Sequence, residues 1–158
     1  VILSNIKENS EAIGHQPAKD IEWHFDGSGV ETKHLATCLS RVEILKQGGD
    51  TLFANGYLSL NALPPALSKQ VKSLSITYSR LYLYERLGYA KKLSTEELAQ
   101  FSDVTKPLVV THPITQREAL VFSIEECKCI DGMNESQSYE FLSQLLEFIT
   151  AENQIYRH

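Results

Sequence analysis

The apolar stretches of this chain are short, and almost every one is closed by glycine, proline or a cluster of polar residues. That punctuation constrains the fold more than any other feature, because runs of about four to eight residues between closely spaced turn signals mark β-rich sandwiches and barrels. Strand patterns fall at residues 1–6, 21–25, 35–45, 51–54, 75–80, 107–111 and 117–123. In the third of these, Val42 and Ile44 alternate with Arg41 and Glu43, as on a half-buried strand. A polar segment at 7–11, a loop at 13–17, Gly27-Ser28-Gly29 and Gly48-Gly49-Asp50 separate the strands. A turn at 113–116 folds the last two into a hairpin.

Helical patterns are fewer. Leu60 and Leu63 are spaced to face a core in a helix over 57–63. Pro64-Pro65 starts a second helix over 66–74, where a proline in the first position sacrifices no hydrogen bond. Ser94 and Glu97 form a capping box for a short helix reaching Phe101. Asn134 caps a long helix to about Ala151, with Tyr139, Leu142, Leu145, Leu146 and Ile149 on its apolar stripe. Residues 81–106 read as an insertion between strands. The sum is a β-rich α+β fold, a sandwich or barrel with helices packed outside.

The 158 residues suffice for one domain with a real core. A net charge of -5 with scattered Lys and Arg argues against nucleic acid and anionic membranes. No apolar run is long enough to span a bilayer, and no basic segment with a cleavage site opens the chain, so a cytoplasmic setting is expected. Cys38, Cys127 and Cys129 are an odd set of free thiols, the last two expected near a turn. The chain opens on Val1-Ile2-Leu3 and closes on a strand-like Ile155-Tyr156-Arg157-His158, as an internal piece of a longer protein would.

Chemistry concentrates in Trp23-His24-Phe25-Asp26-Gly27. On an extended segment, residues two apart point to the same face, so His24 and Asp26 can hold two positions on one metal ion. A second, distant His would complete the 2-His-1-carboxylate facial set of non-haem Fe(II) oxygenases. Alone, the pair reads first as a solvated His and a turn-forming Asp ahead of Gly27.

The order of motifs adds to this. Trp23-His24-Phe25-Asp26-Gly27-Ser28, then Gly48-Gly49-Asp50-Thr51-Leu52-Phe53-Ala54-Asn55, then Leu63-Pro64-Pro65-Ala66-Leu67, then Val110-Thr111-His112-Pro113 with Ala119-Leu120, resembles the taurine dioxygenase family across residues 1–158. The resemblance implies a double-stranded β-helix, a cupin-like jelly roll, here partial and flanked by helices, as a single incomplete domain. It implies a dioxygenase that uses Fe(II), 2-oxoglutarate and O2 to oxidise a small organic substrate, releasing succinate and CO2. His24 and Asp26 would be iron ligands, and the Thr51 hydroxyl would donate to a carboxylate of 2-oxoglutarate. With Asp at position 26, the resemblance implies hydroxylation over halogenation.

Two elements of the family pattern are missing: the distal iron-binding His and the Arg that pairs with 2-oxoglutarate. His158 sits too early to be that ligand. His112, before Pro113, reads as structural, and His15 as a solvated loop residue. Asn55 and His34 are candidate substrate contacts, His34 being also readable as an exposed loop residue. Lacking a Cβ, Gly27 would let substrate or cofactor approach. Tyr82, Tyr84, Arg86 and Tyr89 could line a pocket under a lid formed by 81–106, while Leu81, Tyr84 and Leu87 could instead be a packing face. A homo-oligomer is a further expectation. The alternatives are a catalytically inactive jelly-roll fragment and a cupin-like small-molecule binder.

Overall fold

The computed structural model describes residues 7–12, 22–32, 34–40 and 48–158. The expected strand at 1–6, the loop at 13–17 with His15, and the Arg41–Leu45 part of the third strand lie outside the described residues.

The chain's first described segment is a hairpin of two-residue strands, β1 (Lys7–Glu8) and β2 (Glu11–Ala12), where the sequence suggested only a polar connection. Asn9 and Ser10 carry it with φ of 51° and 69°, the left-handed pair that a tight hairpin turn needs. Residues 22–25 and 35–40, expected as strand, carry no ladder.

β3 (Leu52–Ala54) pairs antiparallel with β9 (Ile155–Arg157), with Phe53 opposite Tyr156. The central sheet runs β5-β4-β8, all antiparallel, with β4 (Ser75–Tyr78) between β5 (Val104–Pro107) and β8 (Cys127–Ile130). The strand expected at 107–111 is split. Its first residue belongs to β5 and the remainder, β6 (Val109–Thr111), forms a hairpin with β7 (Glu118–Leu120). Leu108 between them is fully buried, and its N–H donates to the Leu74 carbonyl. Strand β8 corrects the expected turn around Cys127 and Cys129, although both remain free thiols.

The helices follow their local signals. Asn55 caps α1 (Gly56–Ala62), accepting from the Tyr57 and Leu58 amides. Pro65 is the first residue of α2 (Pro65–Val71). Ser79 caps α3 (Arg80–Arg86), and both bonds of the capping box are made at α4 (Thr95–Leu98). Asn134 and Gln137 make a second capping box on α5 (Glu135–Ile149). α5 packs on β8 and α1, burying Leu142, Leu145 and Ile149, while Tyr139 leaves the expected stripe and is exposed. Truncating Leu142 or Leu145 to Ala would cost about 2–5 kcal/mol.

These side chains join Ile76, Tyr78, Leu120, Phe122 and Ile130 in one core. α3 and α4 form the long connection between β4 and β5. The Tyr84 ring packs edge-on against Tyr89 and Phe101, so this tyrosine serves packing. Among the described residues no helix is long and apolar enough to cross a membrane.

Candidate metal centre

Residues 23–27 belong to no sheet, yet their exposure alternates: Trp23, Phe25 and Gly27 are half-buried, His24 and Asp26 exposed. The period of two that a strand would impose is supplied instead by anchors on the inward-facing residues. The Phe25 ring packs edge-on against Tyr78, centroids 5.8 Å apart. The Phe25 amide donates to the Ser123 hydroxyl at 3.0 Å, and that hydroxyl lies 3.4 Å from the Phe25 carbonyl. The Lys106 ammonium donates to the Gly27 carbonyl at 2.6 Å and sits 5.6 Å from the centre of the Phe25 ring. The buried Ser28 hydroxyl donates to the Glu126 carboxylate, whose backbone carbonyl accepts the Ser79 amide. Tyr78 is fully buried, and desolvation pushes its hydroxyl well above the ordinary phenol range. It stays a neutral phenol and accepts the Ser123 amide.

Held this way, His24 and Asp26 meet on the outer side with Nε2 and Oδ1 3.5 Å apart. His24 Nδ1 lies 2.8 Å from the Glu22 carbonyl. A carbonyl only accepts, so Nδ1 carries a proton, and in a neutral ring the lone pair is then on Nε2, facing the carboxylate. Two electron-pair donors facing each other in this way can hold a cation between them, a proton or a metal ion. Ligands about 2.1 Å from one ion are about 3.0–3.4 Å apart at coordination angles between 90° and tetrahedral, so the observed 3.5 Å need shorten only slightly to hold one. A backbone carbonyl on the second ring nitrogen is also the usual support of a metal-bound imidazole. The pair fits a metal ion, incompletely: among the described residues no group of three His, Cys, Asp or Glu gathers.

The other candidates are placed as follows. Thr51 is exposed and exchanges both backbone hydrogen bonds with His158, at 3.0 and 2.9 Å, which extends the β3–β9 ladder. An Asp50–Arg157 ion pair at 2.7 Å flanks it. No hydrogen bond among the described residues joins Thr51 to the His24–Asp26 pair. The side-chain oxygen of Asn55 is committed to the α1 cap. The exposed His34 ring covers Gly27: a Cβ built there would meet Nδ1 at 3.0 Å. The room left by this glycine, at φ +78°, is therefore taken by His34. The His112 ring accepts the Ile114 and Thr115 amides, closing the β6–β7 turn as a structural residue.

Tyr82 and Arg86 line an open groove of about 760 Å³ with Cys127 and Tyr139. That groove does not include His24 or Asp26. Sequence reasoning missed Lys106, Ser123 and Glu126; each is an unremarkable polar residue whose partner lies far along the chain.

Comparison with known proteins gives a consistent result. The model of the family described as "Taurine catabolism dioxygenase TauD, TfdA family" matches residues 1–158. The (S)-phenoxypropionate/alpha-ketoglutarate-dioxygenase of Sphingobium herbicidovorans is 27% identical over 86% of this chain and 49% of its own length. The alpha-ketoglutarate-dependent 2,4-dichlorophenoxyacetate dioxygenase of Cupriavidus pinatubonensis is 29% identical over 86% of this chain and 47% of its own. Among solved structures, AAD-2 in complex with Mn(II) and N-oxalylglycine superposes with a TM-score of 0.63 and 28% identity, over 73% of this chain and 45% of that one. The chain thus spans about half the length of the curated relatives it matches.

Proposed function

Because the chain belongs to the taurine catabolism dioxygenase TauD, TfdA family, we propose that the intact protein is an Fe(II)- and 2-oxoglutarate-dependent dioxygenase that hydroxylates a small organic substrate. The fold that goes with this reading is a double-stranded β-helix, to which the small antiparallel sheets would contribute strands. The observation that carries it is His24 Nε2 turned toward Asp26 by the Glu22 carbonyl, at 3.5 Å from Oδ1.

The bound metal, with 2-oxoglutarate and O2, supplies the oxidative decarboxylation and the C–H oxidation. The chain's own residues hold and orient. His24 and Asp26 bind the ion, and the Glu22 carbonyl keeps the imidazole in the ligating tautomer. The Thr51 hydroxyl donates to a carboxylate of 2-oxoglutarate. His34, beside Gly27, and the amide nitrogen of Asn55 are the proposed substrate contacts. Of the expected insertion at 81–106, residues 104–106 belong to β5, and the part ahead of that strand is the proposed cover that excludes water. The names of two relatives make aryloxy acids the first substrate class to assay. A homo-oligomer is part of the same reading.

A second reading, a small-molecule binder without catalysis, draws on the two-membered ligand set among the described residues. Anaerobic titration of the full-length protein with Fe(II) and 2-oxoglutarate separates the two. The dioxygenase reading expects a weak visible charge-transfer band that His24→Ala abolishes. Absence of the band in the unmutated protein would leave the binder.

A further inference from the structure

We propose that Lys106 is a positioning residue for the metal centre, clamping the loop that carries His24 and Asp26 to the central sheet. This rests on the metal-site reading above.

The ammonium spans the pair from behind. It donates to the Gly27 carbonyl at 2.6 Å, one residue after Asp26, and lies 5.6 Å from the ring of Phe25, which separates the two ligands. A charge-assisted bond to a carbonyl is stronger than a neutral one, and a cation near an aromatic ring adds attraction. Lys106 is half-buried on β5, opposite Ile76 of β4, a residue with no exposed surface. Its base is therefore fixed on a strand that pairs with β4 along its whole length. The loop has no ladder of its own, so its register depends on side chains reaching it from 79 and 98 positions away. Lys106 is the cationic member of that set, and Glu126, 98 positions from Ser28, the anionic one. Support of this kind sets ligand spacing without touching the ion or either ligand side chain; loss of a partner bonded directly to a ligand weakens metal binding about 10–100-fold, and the lower end of that range applies one bond further out.

The contrast with Lys72 sharpens the assignment. Its ammonium makes an equally short contact, 2.6 Å to Glu118, but both side chains are nearly half exposed and belong to α2's end and β7. Removing it takes away a surface ion pair and nothing that the His24–Asp26 loop rests on.

The test uses the full-length protein with Lys106→Met, Lys106→Arg, Lys72→Met and His24→Ala. Two readouts are taken. The first is amide hydrogen exchange of Phe25 in metal-free protein, which reports loop opening because its N–H is bonded to Ser123 and not to Lys106. The second is the Mn(II) dissociation constant, read by electron paramagnetic resonance. In Lys106→Met, Phe25 exchange is expected to rise at least tenfold with the amides of α5 unchanged, and Mn(II) affinity to fall at least about tenfold. Lys106→Arg, which keeps a charged donor, should stay within about threefold of wild type in both, and Lys72→Met should match wild type. Should Lys106→Met yield no folded protein, Lys106→Gln replaces it with the same expected direction. Wild-type exchange or wild-type Mn(II) affinity in Lys106→Met, with His24→Ala abolishing binding, overturns the proposal and leaves the metal reading standing. Unchanged Mn(II) binding in His24→Ala overturns both.

Discussion

Deleting one hydroxyl from Ser123 should loosen the loop that carries His24 and Asp26 by an amount that can be worked out. Ser123 is 1% exposed. Its oxygen accepts the Phe25 amide at 3.0 Å, a good bond, and lies 3.4 Å from the Phe25 carbonyl, near the limit where a hydrogen bond contributes little. Ser123→Ala therefore strands one N–H. A stranded buried donor costs about 1–3 kcal/mol. Phe25 is only half-buried, so water replaces part of the loss and the lower half of that range applies, about 1–2 kcal/mol. At a urea slope of about 2 kcal/mol per molar, the unfolding midpoint should fall by about 0.5–1 M.

The control is the same atom deleted elsewhere. Ser143 in α5 donates back to the Tyr139 carbonyl at 2.7 Å, one turn earlier. That carbonyl has a helical partner anyway, and Ala is the better helix former, so Ser143→Ala should change stability by less than about 0.5 kcal/mol. Equilibrium urea unfolding of the two variants decides the matter. Coincident midpoints would mean that Ser123 does not hold Phe25, and the account of how the loop is anchored would be refuted.

Two other outcomes are expected. Gly56→Ala should destabilise, although helix propensity alone favours Ala by about 1 kcal/mol. The new Cβ would sit 2.6 Å from the Leu120 carbonyl oxygen, and overpacking against backbone costs about 1–3 kcal/mol; a raised melting temperature would show that α1 and β7 are not this close. Burial pushes the Cys127 thiol up to about 12. The unfolded thiol ionises near 8.5 while the folded one holds its proton, so the native state binds more protons and stability falls as pH rises from about 8.5 towards 12. Urea midpoints at pH 7 and 10 should show that fall, and Cys127→Ala should reduce it; an unchanged slope would mean that the thiol is not buried as described.

What the sequence made legible was local. The caps at Ser94 and Asn134 and the Pro65 start of α2 depend on residues within one turn, and all form as the spacing requires. The His24–Asp26 relation was legible because a period of two survives without a strand. Strand β8 was not, since Cys127-Lys128-Cys129-Ile130 is too short to show a pattern and owes its place to pairing with β4 across a register shift at Thr77/Tyr78. The split at Leu108 was hidden for a similar reason: one apolar run serves two sheets, and only their tertiary arrangement says where it divides.

The candidate metal centre divides along the same line. Residue types decide which atoms can ligate, and these stand in the motif itself. Whether the atoms meet is decided by a hydroxyl 98 positions away and an ammonium 79 positions away, neither of which has a signature. The two outward residues are positioned by what grips the inward residues between and after them, Phe25 and Gly27. Substitution at those distant anchors should therefore weaken the centre while leaving every letter of the motif intact, and a His-x-Asp pair without such anchors would have the donors but no fixed distance between them. The geometry at 3.5 Å is a property of the sheet behind the loop as much as of the loop.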